Sequence, residues 1–118
     1  MPSLPRQLLI EPRVEHHALR DPVGTLFQRL QAGWPGESWA GRRVVVGVGS
    51  RGIDRIAEVT RAVVSWLRQQ GAEPGVIPAM GSHGGGTVEG QCKILADYGI
   101  RPETMGCESR ATMETVIV

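Results

Sequence analysis

An α/β fold, a Rossmann-like parallel sheet with flanking helices in an incomplete domain, follows from three features of this chain. Apolar runs of strand character alternate with helical stripes, in the order strand, helix, strand, helix, strand. Val44-Val45-Val46-Gly47-Val48 is a β-branched run, apolar on both faces as a buried parallel strand is. Glycine-rich turns follow this strand and the next, where parallel sheets place their ligands. A length of 118 residues suits one domain with a modest core.

The elements run in order from the N-terminus. Leu8-Leu9-Ile10, ended by Pro12, reads as a short strand. Asp21-Pro22 starts a helix: the Asp side chain caps free N–H groups and Pro fits the first turn. Val23, Leu26, Phe27 and Leu30 share its apolar face, and Gly33 ends it. Trp34 to Gly41 reads as a loop. After the strand at 44–48, a helix over 54–70 carries a stripe of Ile56, Val59, Val63, Val64 and Leu67. Gly71 stops it and Pro74 keeps it from resuming.

Gly75 to Met80 is the next strand, with Pro78 marking an edge or a strand end. Thr87 caps a third helix whose Val88, Cys92, Leu95 and Tyr98 share a face. Gly99-Ile100 fits a left-handed cap with its hydrophobic contact. Thr115 to Val118 reads as a strand stopping mid-element, so the chain is expected to be a fragment of something longer. The expected division is 1–43, an extension of strand, helix and loop, and 44–118, the α/β domain proper.

Composition excludes several classes. Net charge is +1, with no basic stripe for nucleic acid. No stretch reaches the ~20 apolar residues of a membrane helix, and the start lacks a signal peptide's apolar run. Cys92 and Cys107 show no paired spacing for a disulfide framework or zinc ribbon. The expected compartment is the cytoplasm and the expected partner a small-molecule substrate; oligomeric state is left open.

Two loops carry the candidate chemistry. Gly47-Val48-Gly49-Ser50-Arg51-Gly52 matches G-x-G-x-x-G between a strand and a helix. A dinucleotide site wants a carboxylate at the end of the following strand, and Gly81-Ser82-His83 stands there instead. The loop is therefore read as an anion site. Arg51 is its sharpest residue, because a guanidinium at a strand-to-helix turn fits carboxylate or phosphate bidentately; a solvated arginine is the plain alternative.

The second loop is Gly81-Ser82-His83-Gly84-Gly85-Gly86-Thr87. Its glycines allow left-handed backbone and expose N–H groups to an anion. His83 beside them suits a general acid or base; a loop histidine bonded to its own backbone is the plain alternative. His16 and His17 are adjacent, so they do not converge on a metal. Trp34, Trp39 and Trp66 are spread along the chain, which argues against an aromatic cage. Lys93, the single lysine, points outward beside an inward Cys92.

Val44 to Val118 resembles the N-terminal part of the lactate racemase-like family, the nickel-pincer-nucleotide isomerases. The likeness lies in Val48-Gly49-Ser50-Arg51-Gly52-Ile53, in Ile77 to Thr87, in Gly90-Gln91, in Leu95 to Ile100, and in Glu103-Thr104-Met105-Gly106. It implies a racemase or epimerase acting on a 2-hydroxy acid or related alcohol, by proton abstraction and reversible hydride transfer. It implies a nickel-pincer nucleotide as cofactor.

His83 matches one of the family's two acid/base histidines. Arg51 aligns with a loop that contacts cofactor or substrate anion. Ser50, Arg51, Gly52, Ser82, Gly84, Gly85, Gly86 and Thr87 are the implied cofactor-binding positions. The racemase form of the first loop has an Asp and a Thr-Arg-Pro where this chain has Gly49-Ser50-Arg51-Gly52, which points away from lactate itself. The tether lysine, the nickel-ligating histidine and the second base lie further along in the family, so no metal ligand is assigned here. A non-catalytic nucleotide- or anion-binding module is the alternative, and a truncated remnant that folds poorly is the plainest one.

Overall fold

The computed structural model describes residues 9–13, 15 and 17–114. Helix α1 (Pro22–Gly33) leads into strand β1 (Arg43–Val48), helix α2 (Ile56–Gln69) and strand β2 (Glu73–Pro78). A turn over His83–Gly86 precedes helix α3 (Val88–Asp97), and a short helix α4 (Pro102–Met105) follows. The fold is mixed α/β. β1 and β2 pair in parallel, from Arg43 opposite Glu73 to Val48 opposite Pro78.

The helix ends obey local chemistry. Asp21 accepts from the Gly24 N–H at 2.8 Å, and Pro22 occupies the first turn. Thr87 accepts from the Gly90 N–H at 3.1 Å. Gly99 is left-handed at φ 79°, and the Ile100 N–H reaches back to the Leu95 carbonyl at 2.8 Å. Leu95 and Ile100 then bury together in the core.

α2 covers the sheet on one side and receives α1 on the other. Its burial is therefore wider than the expected stripe. Ile56, Thr60, Val64 and Leu67 are buried, but so are Ala62 and Trp66, while Val59 and Val63 are half-buried. One cluster gathers Val48, Ile56, Val64, Val76, Met80, Leu95, Ile100 and Met105. A second gathers Trp66, Leu67 and Ala72 with Phe27, Leu30 and Trp39.

Three expectations change. Leu9 and Ile10 form no strand: they are 91% and 80% exposed, and nothing among the described residues pairs with them. Leu8 lies outside the described residues. β1 is not buried on both faces. Val44, Val46 and Val48 turn inward and Val45 is 58% exposed, because the described helices cover one side.

The third strand at 115–118 lies outside the described residues. A single isolated parallel bridge joins β2 to Ser109, where the Val76 N–H meets the Glu108 carbonyl and the Arg110 N–H meets the Val76 carbonyl, both at 2.9 Å. β2 thus has partners on both sides, and Pro78 marks its end. The three tryptophans also converge. Packing of α1 on α2 brings their ring centroids within 5.9–6.2 Å of one another, with the Arg42 guanidinium over Trp39.

Among the described residues no helix is long and apolar enough to cross a membrane.

Candidate functional site

Parallel strands end together, so the loops leaving β1 and β2 emerge side by side. Between them lies an open cleft of about 440 Å³. Gly49, Ser50, Arg51 and Ile53 line it from the β1 loop; Ala79, Met80, Gly81, Ser82 and His83 line it from the β2 loop. The wall carries one guanidinium, one imidazole and two serine hydroxyls, and no carboxylate.

The two loops are joined at the centre. Ser50 Oγ and His83 Nδ1 are hydrogen-bonded. The bond has two forms. Ser50 O–H donates to Nδ1 when the ring proton sits on Nε2; Nδ1–H donates to Oγ when it does not. In the second form Nε2 keeps a free lone pair and serves as a base. No carboxylate among the described residues hydrogen-bonds His83, so the pair lacks the third group of a Ser–His–acid triad.

Of the positions implied for cofactor binding, Ser50, Arg51 and Ser82 line the cleft. Gly52, Gly84, Gly85, Gly86 and Thr87 do not. Backbone conformation accounts for the glycines, and at Gly84 a close contact does as well. Gly84, Gly85 and Gly86 all hold left-handed backbone, at φ 65°, 69° and 64°. Gly84 also lies against α3, where a Cβ would come within 2.5 Å of the Gly90 backbone. Thr87 spends its hydroxyl on the turn, donating to the Gly84 carbonyl at 3.1 Å while capping Gly90.

Strain sits in the other loop. Arg55 is the one non-glycine with positive φ, 53°, among the described residues, and it ends the stretch carrying Ser50 and Arg51.

Sequence reasoning overlooked two site residues. Gln91 is buried and donates from Nε2 to the Gly81 carbonyl at 2.7 Å. Tyr98 donates its hydroxyl to the Ser50 carbonyl at 3.0 Å. Gln91 carried a signal, a polar residue one step from an apolar helical stripe.

The described residues do not by themselves supply a nickel site. No three His, Cys, Asp or Glu side chains converge among the described residues. Lys93 is paired with Asp97 at 2.7 Å on the exposed side of α3. His17 pairs with Glu15 at 3.1 Å in the open, and His16 lies outside the described residues.

A larger groove of about 1370 Å³ runs along the N-terminal halves of the strands, beside Arg43, Arg68, Glu73 and Cys107. Size does not make it the better site. It holds no hydrogen-bonded pair of nucleophile and base among the described residues, and burial pushes the Cys107 thiol up, partly opposed by the Arg68 guanidinium, a shift that favours the neutral thiol. No family model, curated protein or solved structure matches this chain.

Proposed function

We propose that this chain forms the proton-handling and anion-holding part of a hydroxy-acid isomerase of the lactate racemase-like kind, on a Rossmann-like sheet. The observation that carries the reading is one cleft wall holding Arg51 and the Ser50–His83 pair with no acidic residue beside them. Such a wall complements a small anion that also bears a hydroxyl. Arg51 takes the carboxylate through its fork of donors. Nε2 of His83 accepts the hydroxyl proton while Nδ1–H is held by Ser50 Oγ.

A nickel-pincer nucleotide, when bound, would supply the hydride acceptor. Its tether and metal ligands would come from outside the described residues. The alternative, a non-catalytic nucleotide-binding module, needs the triple-glycine turn as a phosphate cradle. That turn lies outside the cleft lining, with Gly84 against α3, which favours the first reading.

The test is binding, followed by amide and ring NMR shifts on the chain as it stands. The ligands are a set of 2-hydroxy acids, their amides and their deoxy analogues. The hydroxy acids are expected to shift residues 49–53 and 79–83. Arg51→Ala should weaken them ~10- to 100-fold, the range of a hydrogen bond to a charged group. Amides should lose the Arg51 dependence, and deoxy acids the His83 dependence. Adenine nucleotides binding more tightly than any hydroxy acid, with shifts centred on Gly84–Gly86, would overturn the reading.

A further inference from the structure

Helix α3 grips both loops of the cleft. Gln91, 6% exposed, holds the Gly81 carbonyl at 2.7 Å, two residues before His83. Tyr98, the C-cap residue of α3 and seven positions on, holds the Ser50 carbonyl at 3.0 Å. Gly84 and Gly90 meet backbone to backbone, so the His83 turn rests directly on the helix. One rigid element thus fixes the main chain of the residue bearing Oγ and the main chain leading to the imidazole.

We propose that Gln91 and Tyr98 are positioning residues that set the Ser50–His83 hydrogen bond and the state of the imidazole. Neither lines the cleft; both act through backbone carbonyls. Ser50 and His83 stand 33 positions apart on separate, exposed loops. An exposed side-chain bond is too weak to hold two loops in register by itself. The buried Gln91 amide is better fixed, because leaving Gly81 would strand its donors out of water. The geometry stands on its own; its catalytic consequence rests on the function proposed above.

The test uses Tyr98→Phe, which deletes the hydroxyl and keeps the ring, and Gln91→Met, which keeps the length and loses the donors. The readout is the pair of His83 ring ¹⁵N resonances at a pH where the ring is neutral. In both variants Nδ1 is expected to move toward the value of an unbonded imidazole, with far-UV circular dichroism unchanged. Hydroxy-acid affinity should fall about tenfold, matching 1.4 kcal/mol. A folded Tyr98→Phe and a folded Gln91→Met that both keep the wild-type Nδ1 resonance would overturn the proposal. If Nδ1 moves in both while the wild type binds no hydroxy acid, positioning stands and the proposed function fails.

Discussion

Gly90→Ala is the sharpest perturbation, because local and tertiary reasoning give opposite signs. Gly90 lies in the first turn of α3, where alanine gains about 1 kcal/mol of helix propensity over glycine. Yet a Cβ at Gly90 would stand 1.8 Å from the Gly84 carbonyl oxygen, 2.7 Å from its carbon and 2.9 Å from Thr87 Oγ1. Real Cβ contacts do not fall under 3.0 Å, so the turn must retreat by more than an ångström. The obstacle is backbone, which no rotamer change relieves. Retreat breaks the Thr87 cap, a loss of about 1 kcal/mol that offsets the helix gain.

What remains for Gly90→Ala is overpacking, about 1–3 kcal/mol of net destabilisation. Urea unfolding followed by far-UV circular dichroism reads it directly, and a melt should drop by about 4 °C per kcal/mol. Gly33→Ala is the control. It sits in the last turn of α1 with nothing within 4 Å and no left-handed φ, and should gain up to about 1 kcal/mol. A Gly90→Ala chain as stable as wild type would refute the close approach. It would also remove the footing of the His83 turn on α3.

Thr87→Ala should cost about 1 kcal/mol by chemical unfolding and Thr87→Ser much less, since serine keeps the capping oxygen. Leu95→Ala should cost about 2–5 kcal/mol, because Leu95 is 1% exposed at the centre of the main cluster; a loss under ~1 kcal/mol would mean that the core is loose there. Burial pushes the Cys107 thiol up despite Arg68. A folded-state value above the unfolded one favours the neutral thiol, so its contribution is whole below the ordinary thiol range and fades as pH rises through the raised value. Iodoacetamide at mildly alkaline pH should alkylate Cys107 more slowly in the folded chain than in urea, and equal rates would argue against the burial.

Elements governed by local chemistry were legible in the sequence. Asp21-Pro22, Thr87 and Gly99-Ile100 each announce a helix end by groups that need no distant partner. The loops leaving β1 and β2 were expected to sit together, because parallel strands finish on one side, and Arg51 and His83 do line one cleft. What escaped depends on distant neighbours. The three tryptophans look scattered until α1 packs on α2. Val45 belongs to an apolar run, yet only the elements on each side of a strand decide which faces are wet.

The glycines teach the subtler lesson. Several in a row signal unusual backbone, and all of Gly84, Gly85 and Gly86 have it. That signal does not say what needs the freedom, a ligand or another part of the chain. At Gly84 the demand comes from α3: its backbone leaves no room for a methyl group.

This division shapes how the site would work. The β1 loop brings the positive charge and the β2 loop brings the imidazole, so under the proposed function each would read a different group of one small molecule. The distance between those readings is not set by the loop tips themselves: the strand pairing ends with the Ala79 N–H on the Val48 carbonyl at 2.8 Å, and beyond it one side-chain bond joins the loops. It is set behind the cleft by α3, whose Gln91 and Tyr98 fix one loop each. If the proposed function holds, a substitution in α3 that keeps every cleft residue's identity is therefore expected to alter which spacing of carboxylate and hydroxyl is recognised. A substitution at Arg51 is expected to alter only how strongly the proposed anion is held.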